Sequence, residues 1–121
     1  SILKDKSKNK IKDENINSII VRFQKVSDLP FKDLRNIIDE GKKEIKEGII
    51  VAYAINEGKV GLGIGITEGL IKKFDAVKLV RVGSDIIGGK GGGGRNDFAQ
   101  AGGTLPDRIE DSFETIKKII S

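Results

Sequence analysis

The stretch Ile49–Thr67, IIVAYAINEGKVGLGIGIT, decides the fold. Ile49 to Ile55 is a continuous apolar run, the pattern of a central strand buried on both faces. Asn56-Glu57-Gly58 supplies a turn, and Lys59–Thr67 returns as the partner strand of a hairpin. In the returning strand Val60, Leu62, Ile64 and Ile66 point one way, and Gly61, Gly63 and Gly65 point the other. A strand face without side chains lets a neighbouring helix or backbone press against it. These glycines do not form a dinucleotide-binding fingerprint. They lie inside a strand rather than at its turn into a helix, and the spacing to Gly69 is wrong.

Working outward, Ser18–Val26 alternates Ile19, Val21 and Phe23 with Ile20, Arg22 and Gln24, which predicts another strand. Ser27 or Asp28 then caps a helix with Pro30 in its first turn, and Gly48 ends it. Phe31, Leu34, Ile38, Gly41 and Ile45 form its apolar stripe, while Lys32, Asp33, Asp39, Lys43 and Glu47 read as a solvated face. The strand–helix–strand unit implies a right-handed parallel crossover. Downstream, Asp75 caps a largely buried helix over Ala76–Ile87, whose one polar stripe is Lys78, Arg81 and Asp85. Asp97–Ala101 reads as a short strand. A last helix, capped at Thr104 or Asp107, carries the stripe Leu105, Ile109, Phe113, Ile116 and Ile120. The expected fold is α/β: a single domain with a mixed sheet of three to five strands and helices packed on it. Residues 1–17, SILKDKSKNKIKDENIN, are poor in apolar side chains and read as a flexible lead-in or the end of a preceding helical segment. The globular domain is then 18–121.

Between the last two helices lies Gly88–Gly103, GGKGGGGRNDFAQAGG, which holds eight of the chain's 16 glycines. Such a run loses much backbone entropy on folding. It implies a backbone that needs positive φ or a surface that another molecule must approach closely. Lys90 and Arg95 bracket Gly91, Gly92, Gly93 and Gly94, so free amides and positive charge share one loop, a combination that suits phosphate. Lys72, Lys73, Lys78 and Arg81 extend the candidate basic patch. The other reading is a packing device, with the glycines letting helix and strand touch and Lys90 paired with an acid such as Asp97. A phosphate-binding P-loop fails, because Gly83 to Lys90 is one residue too long and Gly91 stands where a hydroxyl should bind magnesium.

A chain of 121 residues with 37% hydrophobic and 33% charged residues supports one modest core. It has no cysteine and no histidine, which removes disulfides, thiolate sites, the commonest metal ligand and the commonest general base. No stretch is long and apolar enough for a membrane span, and no signal-peptide pattern is visible. The net charge of +4 is uneven: residues 1–25 carry +4, residues 57–95 carry +3, and residues 97–121 carry −2. An anionic partner is therefore expected at the start or middle of the chain.

The glycine stretch resembles the signature GGKGGGRPDMAQAGG in the C-terminal, DHH-associated domain of bacterial alanyl-tRNA synthetases. It departs in one additional glycine before Arg95, in Asn96 for proline, and in Phe98 for methionine. VAYAINEGKVGLGIGIT is similar in pattern to that family's hairpin, and the resemblance covers about residues 15 to 121. It implies a cytoplasmic, tRNA-binding C-terminal domain of an alanine–tRNA ligase that grips the outer corner of tRNA(Ala) in support of aminoacylation and editing. The resemblance also implies that catalysis lies elsewhere. ATP, magnesium and zinc would serve the full-length enzyme and none of them this fragment, and a homodimer would form through the preceding helical segment. The alternative is a dimerisation or protein-interaction module of the same enzyme with little intrinsic RNA affinity. DHH-family phosphoesterases carry a related domain with histidine after the glycines; here Arg95 stands there, and no independent catalysis is expected.

Overall fold

Asn17 and Ser18 both adopt left-handed backbone, with φ of 54° and 67°, the geometry of a two-residue hairpin turn that follows the natural strand twist. The amide of Ser18 donates to Asn15 Oδ1 at 3.1 Å. This turn joins β1 (Asn9–Ile16) to β2 (Ile19–Ser27) in antiparallel register, Asn9 opposite Val26. The computed structural model describes residues 9–121. Over 9–16 the expected lead-in is instead an edge strand; the remainder of that expectation, residues 1–8, lies outside the described residues. The sequence hides β1 because neither of its faces is apolar. It is held by ladder hydrogen bonds and ion pairs rather than by burial.

The sheet has six strands in the order β1-β2-β3-β4-β6-β5, one more than the upper expectation. β3 (Ile49–Asn56) runs parallel to β2, as the crossover rule requires, and β4 (Lys59–Ile66) returns antiparallel to it. β6 (Phe98–Gly103) pairs with β4, and the two-residue β5 (Gly93–Gly94) closes the far edge.

α1 (Leu34–Ile45) packs on one face of this sheet; α2 (Ala76–Ile86) and α3 (Ile109–Ile120) pack on the other. The side-chain-free face of β4 receives α1, as expected. A Cβ at Gly63 would lie 2.6 Å from Ile38 Cδ1, and one at Gly61 would lie 2.8 Å from the Phe31 ring. The opposite face of β4 buries Val60, Leu62, Ile64 and Ile66 against α2 and α3. Tyr53, fully buried, shares a 2.8 Å hydrogen bond with Ser112, whose hydroxyl also donates to the Gly83 carbonyl. Burial pushes the phenol pKa up.

Helix boundaries differ from the sequence reading. Asp28 has φ of 58° and Pro30 is extended, so the chain enters a 3-10 turn at Phe31–Asp33 and α1 begins at Leu34 without a side-chain cap. Lys46, not Gly48, closes it. Another 3-10 turn, Pro106–Arg108, likewise precedes α3, so neither Thr104 nor Asp107 caps it, and Leu105 is exposed outside the stripe. Asp75 caps α2 as expected, accepting from the Val77 amide at 2.9 Å.

Candidate nucleic-acid interface

The glycine stretch divides into a packed part and an open part. At its start, the Gly89 amide donates to the Ser84 carbonyl at 2.8 Å, and Ser84 Oγ donates to the Gly102 carbonyl at 3.2 Å. No side chain fits between α2 and β6 there: a Cβ at Gly103 would meet the Ile87 carbonyl oxygen at 2.5 Å. Gly92 is also confined, because a Cβ there would lie 2.6 Å from that of Ala101. Gly91 and Gly93 are different. A Cβ at either would meet nothing within 4 Å. Among the described residues, the amides of Lys90, Gly91 and Gly92 find no acceptor in the chain. The stretch therefore packs at its ends and at Gly92, and is bare at Gly91 and Gly93.

The signature residues after the run are mainly structural. The Asp97 carbonyl accepts from the Ile66 amide at 2.9 Å and from Lys42 Nζ at 3.0 Å. Phe98 lies under the Arg35 guanidinium, 4.9 Å from ring centroid to Cζ, and Gln100 donates to the Phe31 carbonyl at 3.1 Å. Ala99 faces the other way and is fully buried. Phe98 thus ties the loop's return strand to α1 and Gln100 ties it to the 3-10 turn before α1, while Ala99 joins the core on the face of α2 and α3.

The predicted cations are all exposed, but they do not form one patch. Arg81 reaches the run and donates from Nε to the Gly92 carbonyl at 3.3 Å, with Lys78 one turn earlier on the same exposed stripe. Lys90 has no ion pair among the described residues; the pairing suggested for it with Asp97 is made instead by Arg95, and only at 3.9 Å. Lys72 has no described contact with the loop. Lys73 lines a separate hollow beside Asn17, Ser18 and Ile20.

Sequence reasoning missed a larger feature. A cleft of about 610 Å³ opens where the β5–β6 turn meets the end of α1, and Lys42, Lys43 and Lys46 line it together with Arg95, Thr67 and Glu68. The solvated-face reading of α1 concealed it. The available signal was topological: a parallel crossover brings the helix C-terminus to the end of the sheet where β3 starts and β4 finishes. Among the described residues, no group of three His, Cys, Asp or Glu side chains is placed to hold a metal ion. None of their helices is long and apolar enough to cross a membrane.

The DHHA1 domain model matches residues 9–121, which is nearly all of the chain. The chain belongs to the DHHA1 domain family. It is 43% identical over 90 residues to an alanine–tRNA ligase of Parvibaculum lavamentivorans, covering 74% of this chain and 10% of the relative. It is 47% identical over 107 residues to that of Paramagnetospirillum magneticum, covering 88% of this chain and 12% of the relative. The crystal structure of the C-Ala domain from Aquifex aeolicus alanyl-tRNA synthetase superposes with a TM-score of 0.85 at 27% identity, covering 91% of this chain and 98% of that one. This DHHA1 domain thus spans about a tenth of the length of the ligases it matches, and 98% of the solved C-Ala chain.

Proposed function

We propose that this DHHA1 domain is the tRNA-binding C-terminal part of an alanine–tRNA ligase, holding tRNA(Ala) at its outer corner while chemistry proceeds elsewhere in a longer chain. One observation carries the reading: undonated amides at Lys90, Gly91 and Gly92 share a stretch of chain with the exposed cations Lys90 and Arg95, and Arg81 reaches the same run. Undonated amides and exposed cations at one edge match the demands of a phosphodiester, which needs donors and positive charge but no sequence readout. A domain that grips one part of the tRNA turns capture of the acceptor end into an intramolecular step at raised effective concentration. Use of ATP, magnesium and zinc belongs, on this reading, to the remainder of the ligase.

Fluorescence titration of this chain with tRNA(Ala) at two salt concentrations tests the proposal. Lys90→Glu/Arg95→Glu is expected to weaken binding severalfold and to flatten the salt dependence, with an unchanged circular dichroism spectrum. Unchanged affinity in the double variant would overturn the assignment to this edge. Sedimentation as a clean dimer without tRNA affinity would favour the protein-interaction role instead.

A further inference from the structure

The cleft between α1 and the β5–β6 turn has no role in the reading above, yet its charges are arranged for one. Lys43 in the last turn of α1 and Lys46 at its C-cap are exposed and have no ion pair among the described residues. Arg95 enters from the opposite wall, its side chain 71% exposed and the Asp97 carboxylate 3.9 Å away. Lys42 has a different duty: its ammonium is spent on the Asp97 carbonyl, which locks the turn carrying Arg95 against α1. The spacing between the two walls is therefore fixed by a hydrogen bond rather than left to a mobile hairpin.

The floor adds a donor. Thr67 Oγ accepts from the Gly48 amide at 2.9 Å, and among the described residues its own proton goes to no acceptor. Glu68 and Asp97 also line the cleft, so four cations face two carboxylates and a net positive charge remains. Cations at a helix C-terminus also complement its dipole. That accounts for Lys43 and Lys46 singly, but not for Arg95 facing them across a cleft large enough for a nucleotide-sized group.

We infer that this cleft is a second phosphate-binding site, which takes a backbone phosphate of the RNA between Lys43 and Lys46 on one side and Arg95 on the other. The inference rests on the tRNA-binding reading, and Arg95 joins the two sites: the backbone would run from the glycine edge around the β5–β6 turn into the cleft. Lys42 acts here as a positioning residue.

The test uses this chain and unmodified tRNA(Ala), comparing Lys43→Glu/Lys46→Glu with Lys32→Glu/Lys59→Glu. The latter pair lies at the opposite end of α1 and of the β3–β4 hairpin, is also exposed, and changes the net charge equally. The cleft variant is expected to bind about tenfold more weakly, with the slope of log K against log salt reduced by about one to two. The control variant is expected to change affinity less than twofold. Equal losses in both variants, or full affinity in the cleft variant, would overturn the inference while leaving RNA binding by the glycine edge intact. A parent chain without tRNA affinity would remove both readings together, so the two failures are distinguishable. Thermal melts of each variant separate lost helix-dipole stabilisation from lost affinity.

Discussion

The two edges of the sheet solve the same problem in opposite ways. An edge strand exposes unpaired amides and carbonyls that can template unwanted pairing. β1 covers its edge with charged side chains and fastens them: Arg22 pairs with Asp13 from the edge strand and with Glu44 of α1, while Lys117 of α3 pairs with Glu14. β5 has no side chains at all, being two glycines held by Gln100 and Ala99 of β6. Its protection is shortness. An edge fastened on both faces is closed to partners, whereas a bare, short, basic edge is open to a polyanion. That difference locates the proposed RNA contacts on the β5 side of the molecule.

The largest expected effect falls on the fastened edge. Arg22 is 8% exposed despite its charge, and its guanidinium donates to Asp13 Oδ1 at 2.7 Å. Hydrogen bonding to Asp13 holds its pKa above the ordinary arginine value against the opposing effect of burial. Arg22→Ala leaves two carboxylates that reach water, with side chains 39% and 62% exposed, so the loss is smaller than for a sealed pair, about 2 kcal/mol. Urea denaturation should report it. Hydrogen exchange should accelerate across β1 and leave Gly93 to Gly103 unaffected. Equal acceleration at both edges would mean that they are not independent.

A smaller effect on the same edge depends on pH. The Lys117 ammonium, 3.2 Å from Glu14, holds that carboxylate below its ordinary value of 4.5 by hydrogen bonding. A depressed carboxylate stabilises the fold above its unfolded-state pKa, and the contribution disappears as pH falls through the folded-state one. Lys117 is raised, first by Glu114 and then by Glu14, so its contribution is full at neutral pH and fades only at strongly alkaline pH. Glu14→Gln should therefore flatten the acid limb of the stability profile below about pH 4.5, by less than about 1 kcal/mol because both side chains touch water. An unaltered acid limb would show that Glu14 does not fasten β1.

What the sequence disclosed follows the same division. Elements that bury an apolar face announce themselves by period: β2, β3, β4 and all three helices were legible, and the glycine face of β4 called for a helix or a backbone against it, of which the structure supplies the helix. β1 was not, because Asp13 and Glu14 satisfy their charges through Arg22 and Lys117, on other elements, and local pattern cannot see such partners. The glycine loop was legible as a feature but not as a mixture. Nothing in GGKGGGG distinguishes Gly92, which sits against Ala101, from Gly91 and Gly93, which sit against nothing. Lys43 is exposed, as its place on the solvent face implies; helical periodicity alone could not show that the crossover brings that helix end beside Arg95.

The smallest change in stability is expected at the open edge, and it sharpens the contrast most. Gly93 lies outside the positive-φ region, and a Cβ there meets nothing within 4 Å. Gly93→Ala should therefore leave the fold unchanged or stabilise it by up to about 1 kcal/mol, by restricting the unfolded chain. Gly91, with φ of 78°, would not tolerate alanine so well, and that makes it the poorer test. If RNA settles directly against the backbone at this edge, a single methyl group stands in its way, and tRNA affinity should fall severalfold while the melting temperature holds or rises. A structural glycine cannot give that combination, because substituting a structural glycine loses stability before it loses binding. Gly93→Ala with both quantities unchanged would leave the charges of Lys90, Arg81 and Arg95 as the whole of the attraction, and the bareness of β5 would then serve only to keep the edge short.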